Sequence, residues 1–139
     1  MTHEIKTQWE GNMLFNADSL GGSFKIDADP AVGGEGKGLR PKALMLSSLA
    51  GCTGMDIVSL LKKMRAEVDH IEIDVAGDLT EEHPKYYHKV RIQYRFYAKS
   101  FQKDKIEKAI QLSVDKYCGV LEMFRQFAEV SINTEYIER

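Results

Sequence analysis

The sequence predicts an α+β fold with elements in the order βββ, α, ββ, αα, β, and three observations carry that prediction. Apolar and polar residues alternate in three short runs before residue 30. A long apolar segment of helical length then follows Arg40-Pro41. Beyond residue 70, two more alternating runs lead into helical stripes and a last alternating run. The 139 residues fit one domain, 1–139, with neither a linker nor an internal repeat.

Ile5, Thr7 and Trp9 alternate with Lys6 and Gln8, and Glu10-Gly11-Asn12 supplies turn chemistry. Met13, Phe15 and Ala17 continue the period, and Gly21-Gly22 interrupts it before Phe24 and Ile26. Three short antiparallel strands are expected. Ala28 to Leu39 is irregular, and its Gly-Gly-Glu-Gly-Lys-Gly string resembles a phosphate loop. The Walker pattern requires a Lys-Ser/Thr pair running directly into a helix, which is missing. A mobile loop beside a site is the expected role.

Pro41 suits a first helical turn, where its missing N–H would be unpaired in any case. From Ala43 to Cys52 the segment is apolar on most of its circumference, which predicts a buried central helix with this half buried all round. After Asp56, Ile57, Val58, Leu61 and Met64 form a stripe opposite Lys62, Lys63 and Arg65. Ile71, Ile73 and Val75 make the next strand, and Gly77 to Lys85 a polar turn. Val90, Ile92, Tyr94 and Phe96 alternate with Lys89, Arg91, Gln93 and Arg95, as on a strand with one wet face. Ser100 is a candidate cap for a helix with the stripe Ile106, Ala109, Ile110, Val114 and Tyr117. Cys118-Gly119 breaks that helix, Val120 to Phe127 forms a shorter one, and Val130 to Tyr136 closes the chain as a strand.

A net charge of −2, from 19 basic and 21 acidic residues, gives no reason to expect nucleic acid as partner. The stretch Ala43 to Leu61 is interrupted by Ser47, Ser48, Thr53, Asp56 and Ser59, so no membrane span is expected. Met1 to Glu10 has no apolar signal core. A soluble cytoplasmic protein, whose two cysteines rest reduced, is the resulting expectation.

Cys52 sits mid-helix between Gly51 and Gly54. Glycine inside a helix costs roughly 1 kcal/mol relative to alanine, so the pair calls for a close approach by backbone or substrate. The alternative is a small buried thiol in a tightly packed helix. Cys118 falls at the start of a helix, where free N–H groups and the dipole favour a thiolate. Cys52 lies too far beyond Pro41 for its own helix to activate it. A reactive Cys52 therefore needs a cation, and Arg40 and Lys42 are the nearest in sequence. Asp56, one turn on, shares its face and could orient a cation or a water. His3, His70, His83 and His88 lack ligand spacing, so no metal site is expected. Tyr86, Tyr87, Tyr94, Phe96 and Tyr97 read as sheet residues rather than as a base-stacking platform.

The segment Gly38-Leu39-Arg40-Pro41-Lys42-Ala43-Leu44-Met45-Leu46, followed by Leu49-Ala50-Gly51-Cys52-Thr53, resembles the signature of the osmotically-inducible-protein-C and organic-hydroperoxide-resistance (OsmC/Ohr) family. Lys116-Tyr117-Cys118-Gly119-Val120 lies where that family has its second thiol. The resemblance implies an intertwined homodimer with long central helices and active sites at the subunit interface. It also implies thiol peroxidase chemistry with no cofactor. The counterpart of Cys52 attacks an organic hydroperoxide and becomes a sulfenic acid, the counterpart of Cys118 condenses with it as a disulfide, and a lipoylated or thioredoxin-like dithiol restores the pair. Arg40 or Lys42 would be the local cation. The family's usual glutamate is replaced by Lys42, and its arginine near the first hairpin is absent from Gly11-Asn12-Met13. With Asp56 present, this resembles the branch related to the YhfA proteins. The missing charge pair and the apolar helix also admit a non-catalytic member of the fold, holding a small apolar ligand at the dimer interface.

Overall fold

A computed structural model describes residues 1–139. The elements occur in the predicted order: strands β1 (Lys6–Trp9), β2 (Phe15–Ser19) and β3 (Gly22–Ile26), helix α1 (Pro41–Met64), strands β4 (His70–Leu79) and β5 (Tyr87–Ala98), helices α2 (Lys103–Leu112) and α3 (Gly119–Arg125), and strand β6 (Glu129–Glu138). Contacts divide the chain into two compact units, Met1–Met45 and Leu46–Arg139.

In the first unit, β1, β2 and β3 form an antiparallel sheet in that order. The segment after it, expected as a mobile loop, is irregular and anchored by hydrogen bonds to one side chain. That side chain is Asp27, 2% exposed. Its Oδ1 accepts from the Ala28 N–H at 2.8 Å, and its Oδ2 from the N–H groups of Glu35 at 3.1 Å and Lys37 at 3.0 Å. The glycine string thus wraps an anion, and the anion is the chain's own carboxylate. Gly34 is required by close approach, since a Cβ there would stand 1.9 Å from the Ala28 carbonyl oxygen.

The Lys37 N–H above all, with those of Ala28 and Glu35 and the Arg40 charge, holds the Asp27 carboxyl below its usual range against the opposing effect of burial. A carboxyl lowered on folding contributes stability that is present above its unfolded value, about 4, and lost as pH falls through the folded value. The first unit is therefore expected to loosen below about pH 4. Asp27→Asn should flatten that acid limb, as read from the fluorescence of Trp9, the single tryptophan.

In the second unit the sheet order is β4-β5-β6, with β4 antiparallel and β6 parallel to β5. Central β5 points Val90, Ile92, Tyr94 and Phe96 inward, all at 1% exposure or less. Its opposite face carries Arg91, paired with Asp78 at 2.8 Å, and Arg95, paired with Asp74 at 2.5 Å. This is the predicted wet face, and ion pairs so open to water and salt contribute little to stability. The buried cluster joins the β5 residues to Leu49, Ile57 and Leu61 of α1, Ile106, Ala109 and Ile110 of α2, and Leu121 and Phe124 of α3.

Two expectations need correction. The half of α1 from Ala43 to Cys52 is not buried all round: Leu49 alone is buried there, and the 24-residue helix as a whole buries Leu49, Thr53, Ile57 and Leu61, a stripe of period four. A single chain offers the helix one packing face, and Met55 and Val58 remain 71% and 56% exposed. By length and composition alone α1 could cross a bilayer, as core helices of soluble proteins also can. Ser100 does not cap α2, whose N-cap is Gln102, without a side-chain hydrogen bond.

Candidate active site

The site is built from Cys52 to Asp56 of α1, the α2–α3 junction and β5, all in the second unit. Cys52 and Asp56 are half-buried on α1, four residues apart and hence on one face, beside the buried stripe. Past Leu112, α2 ends in a π-helical turn, Ser113–Tyr117, closed by the Cys118 N–H donating to the Ser113 carbonyl at 2.8 Å. This wide turn directs both Ser113 and Cys118 inward, where they are 0% and 4% exposed. Local π turns of this type recur at functional sites. The Cys52 and Cys118 sulfurs and a carboxylate oxygen of Asp56 all lie within 4.8 Å of one another.

Both cysteines are free thiols, in different surroundings. Cys52 is half-buried. Cys118 caps α3, its Sγ accepting the Leu121 N–H at 3.4 Å. That placement matches the expected helix start, but the expected stabilisation of a thiolate does not follow. Burial pushes the Cys118 thiol up to about 12, the Leu121 N–H opposes this, and a hydrogen bond to Cys52 with the negative charges of Cys52 and Asp56 adds to the rise. Desolvation outweighs one backbone donor. Cys118 is accordingly a protonated thiol at neutral pH.

Behind the thiols runs a chain of buried hydroxyls. Ser113 Oγ donates to Asp56 Oδ2 at 2.9 Å. Thr53 Oγ1 is 2.8 Å from Ser113 Oγ and 2.7 Å from Tyr94 Oη. Thr53, Ser113 and Tyr94 are all fully buried. The direction of every hydrogen bond follows from the last one. Ser113 has one proton, given to the carboxylate, so Thr53 must donate to Ser113, and Tyr94 must donate to Thr53. Burial raises the Tyr94 phenol above its ordinary value, with smaller contributions from the Cys118 and Asp56 charges, against a Thr53 hydrogen bond that lowers it, so the phenol keeps the proton it donates.

Arg40 belongs to the first unit. Its guanidinium donates to the Gly38 carbonyl at 2.8 Å and lies 3.6 Å from Asp29. Lys42 is exposed in the first turn of α1. Near the hairpin turn without an arginine, Asn12 donates to the Gly33 carbonyl at 3.1 Å. The glycines beside Cys52 have different reasons. A Cβ on Gly54 would meet Ile73 Cδ1 at 3.0 Å, whereas one on Gly51 would meet nothing within 4 Å. Two thiols and one carboxylate, without histidine, fall short of a four-ligand structural zinc set. Thr53, Tyr94 and Ser113 were not singled out as site residues by sequence. The available signal was Thr53, one polar residue in the apolar stripe Leu49, Ile57, Leu61.

Residues 34–133 match the OsmC-like protein family. Protein YhfA of Escherichia coli K12 is 24% identical over 134 residues, which are 96% of this chain and 98% of that protein. The crystal structure of a hypothetical protein from Aquifex aeolicus VF5 superposes with a TM-score of 0.82 at 31% identity, covering 99% of each chain. The organic hydroperoxide resistance protein OhrB of Bacillus subtilis shares the fold, with a TM-score of 0.66 at 18% identity over 96% of this chain and 98% of that one. A family match over 100 of the 139 residues, with a solved structure 31% identical along 99% of the chain, shows the family: the chain belongs to the OsmC-like protein family.

Proposed function

We propose that the protein is a thiol-dependent hydroperoxide reductase in which Cys52 is peroxidatic and Cys118 resolving. The observation that carries this reading is the approach of the two sulfurs to within 4.8 Å, one half-buried and the other buried. The organic hydroperoxide resistance protein of the same fold supports the same substrate class. Burial supports this division of roles, because peroxide must reach the attacking sulfur from solvent while the resolving thiol need only reach its neighbour. The Cys52 thiolate attacks the terminal peroxide oxygen, the O–O bond breaks, and the alkoxide leaves and takes up a proton as alcohol. Cys52 is then a sulfenic acid. Cys118 attacks it, a disulfide forms and water leaves. A lipoylated or thioredoxin-like dithiol returns both thiols by two exchange steps.

The reading includes action as a single domain in the cytoplasm, where both thiols are kept reduced, and pairing into a homodimer. An open groove of about 530 Å³ on the exposed side of α1, lined by Gly51, Met55, Val58, Ile71 and Ile73, supports the pairing. Exposed apolar surface of this kind marks an interaction site. Met55→Glu is expected to convert a dimer to a monomer in sedimentation equilibrium, with an unchanged circular dichroism spectrum. A wild-type monomer would count against the pairing. The same groove favours a second reading, a small apolar ligand held there without catalysis. Native mass spectrometry finding no retained molecule would remove it.

The experiment for the leading reading is steady-state consumption of cumene hydroperoxide with dihydrolipoamide. Turnover that needs a dithiol and saturates in peroxide is expected, and a rate no higher than that of free thiols would overturn the reading.

A further inference from the structure

We propose that Asp56 is the proton carrier of the resolving step, held in place by the directional hydroxyl chain Tyr94–Thr53–Ser113. The inference rests on the thiol peroxidase reading above. It concerns a step for which the chain must supply a base.

Disulfide formation joins the Cys118 sulfur to the Cys52 sulfur and breaks the S–O bond of the sulfenic acid. Cys118 must lose a proton as it attacks, and the leaving hydroxide must gain one. One group that takes the first proton and returns it to the departing oxygen completes the step, with water as the only by-product and no outside reactant. Cys118 is a thiol at neutral pH because it is buried, so the attack is not provided for by prior ionisation. The base must be near both sulfurs. Asp56 is, with an oxygen inside the 4.8 Å cluster of the two thiols. General acid–base transfer by a positioned side chain typically contributes about 10²- to 10⁴-fold.

The hydroxyl chain explains how the carboxylate is kept ready. Ser113 donates to one oxygen of Asp56 and fixes its orientation. Thr53 and Tyr94 in turn fix the Ser113 hydroxyl, because each has one proton and one acceptor direction already assigned. All three hydroxyls are excluded from solvent, so water does not compete for them. Ser113, Thr53 and Tyr94 are thus positioning residues, and Asp56 is the group at the reacting atoms.

The test separates the two chemical steps in a single turnover. Reduced protein is mixed with a slight excess of cumene hydroperoxide, and sulfenic acid and disulfide are followed by quenching at intervals, dimedone trapping and mass spectrometry. In Asp56→Asn, which preserves shape and an acceptor for Ser113, sulfenic acid should form no more slowly than in wild type. Disulfide formation should slow by about 100-fold or more. Asp56→Glu should recover part of that loss, and Ser113→Ala should slow the second step alone by a smaller factor. Equal disulfide rates in wild type and Asp56→Asn would overturn the proposal. So would equal slowing of both steps by Asp56→Asn, the mark of a merely structural residue. If wild type itself forms neither sulfenic acid nor disulfide, the peroxidase reading fails, an outcome distinct from either. Should Asp56→Asn not fold, the Ser113→Ala split decides.

Discussion

Replacing Cys52 by serine is expected to abolish hydroperoxide consumption, a loss of roughly 10³-fold or more, the scale on which removing a covalent nucleophile acts. Serine keeps the volume and removes the thiolate, so the melting temperature should hold while activity disappears. Cys118→Ser should give a different defect. Cys52 remains able to attack, so one peroxide per chain is consumed in a rapid phase. The sulfenic acid then persists, open to dimedone, and turnover with dihydrolipoamide stalls. The contrast follows from burial: Cys52 is half-buried and Cys118 4% exposed. An equal rapid phase of peroxide consumption in both variants would contradict the division of roles.

Thr53→Val is expected to destabilise the protein by about 1–3 kcal/mol, the cost of leaving a buried polar group without its partner. Valine fills almost the same space, so no cavity contributes. The Tyr94 hydroxyl, 2.7 Å from Thr53 and fully buried, loses its acceptor, and Ser113 loses its donor. Urea titration measures the loss. Thr53→Ser, which restores the hydroxyl, should recover most of it, whereas Thr53→Ala should do no better than valine. The freed Ser113 should also slow disulfide formation without slowing the attack on peroxide.

Sequence and structure agree where the information is local. The start of α1 at Pro41, the break at Cys118-Gly119 and the alternation along β5 are each decided by residues within a few positions of one another. The family resemblance rested on similarly compact segments around Cys52 and Cys118. What the sequence could not show depends on distant partners. The apolar circumference of α1 reads the same whether a second packing face exists in the chain or not, and here Met55 and Val58 stay exposed. The helix start at Cys118 argues for a thiolate, but the burial that reverses the argument comes from the assembled core. The glycine string looks like an empty anion cradle because Asp27, which fills it, lies outside the string. Thr53 meets Tyr94 and Ser113 from 41 and 60 residues away. A polar residue in a buried stripe demands partners, but periodicity does not name them.

The central claim, that Cys52 and Cys118 act as one redox pair, is tested most directly by mass spectrometry of the reduced protein after one equivalent of cumene hydroperoxide. The expected result is loss of both thiols, a mass lower by two hydrogens, and a single peptide pair linked through Cys52 and Cys118 within one chain. Two thiols still free after the peroxide is added, or a disulfide joining different chains, would contradict the account.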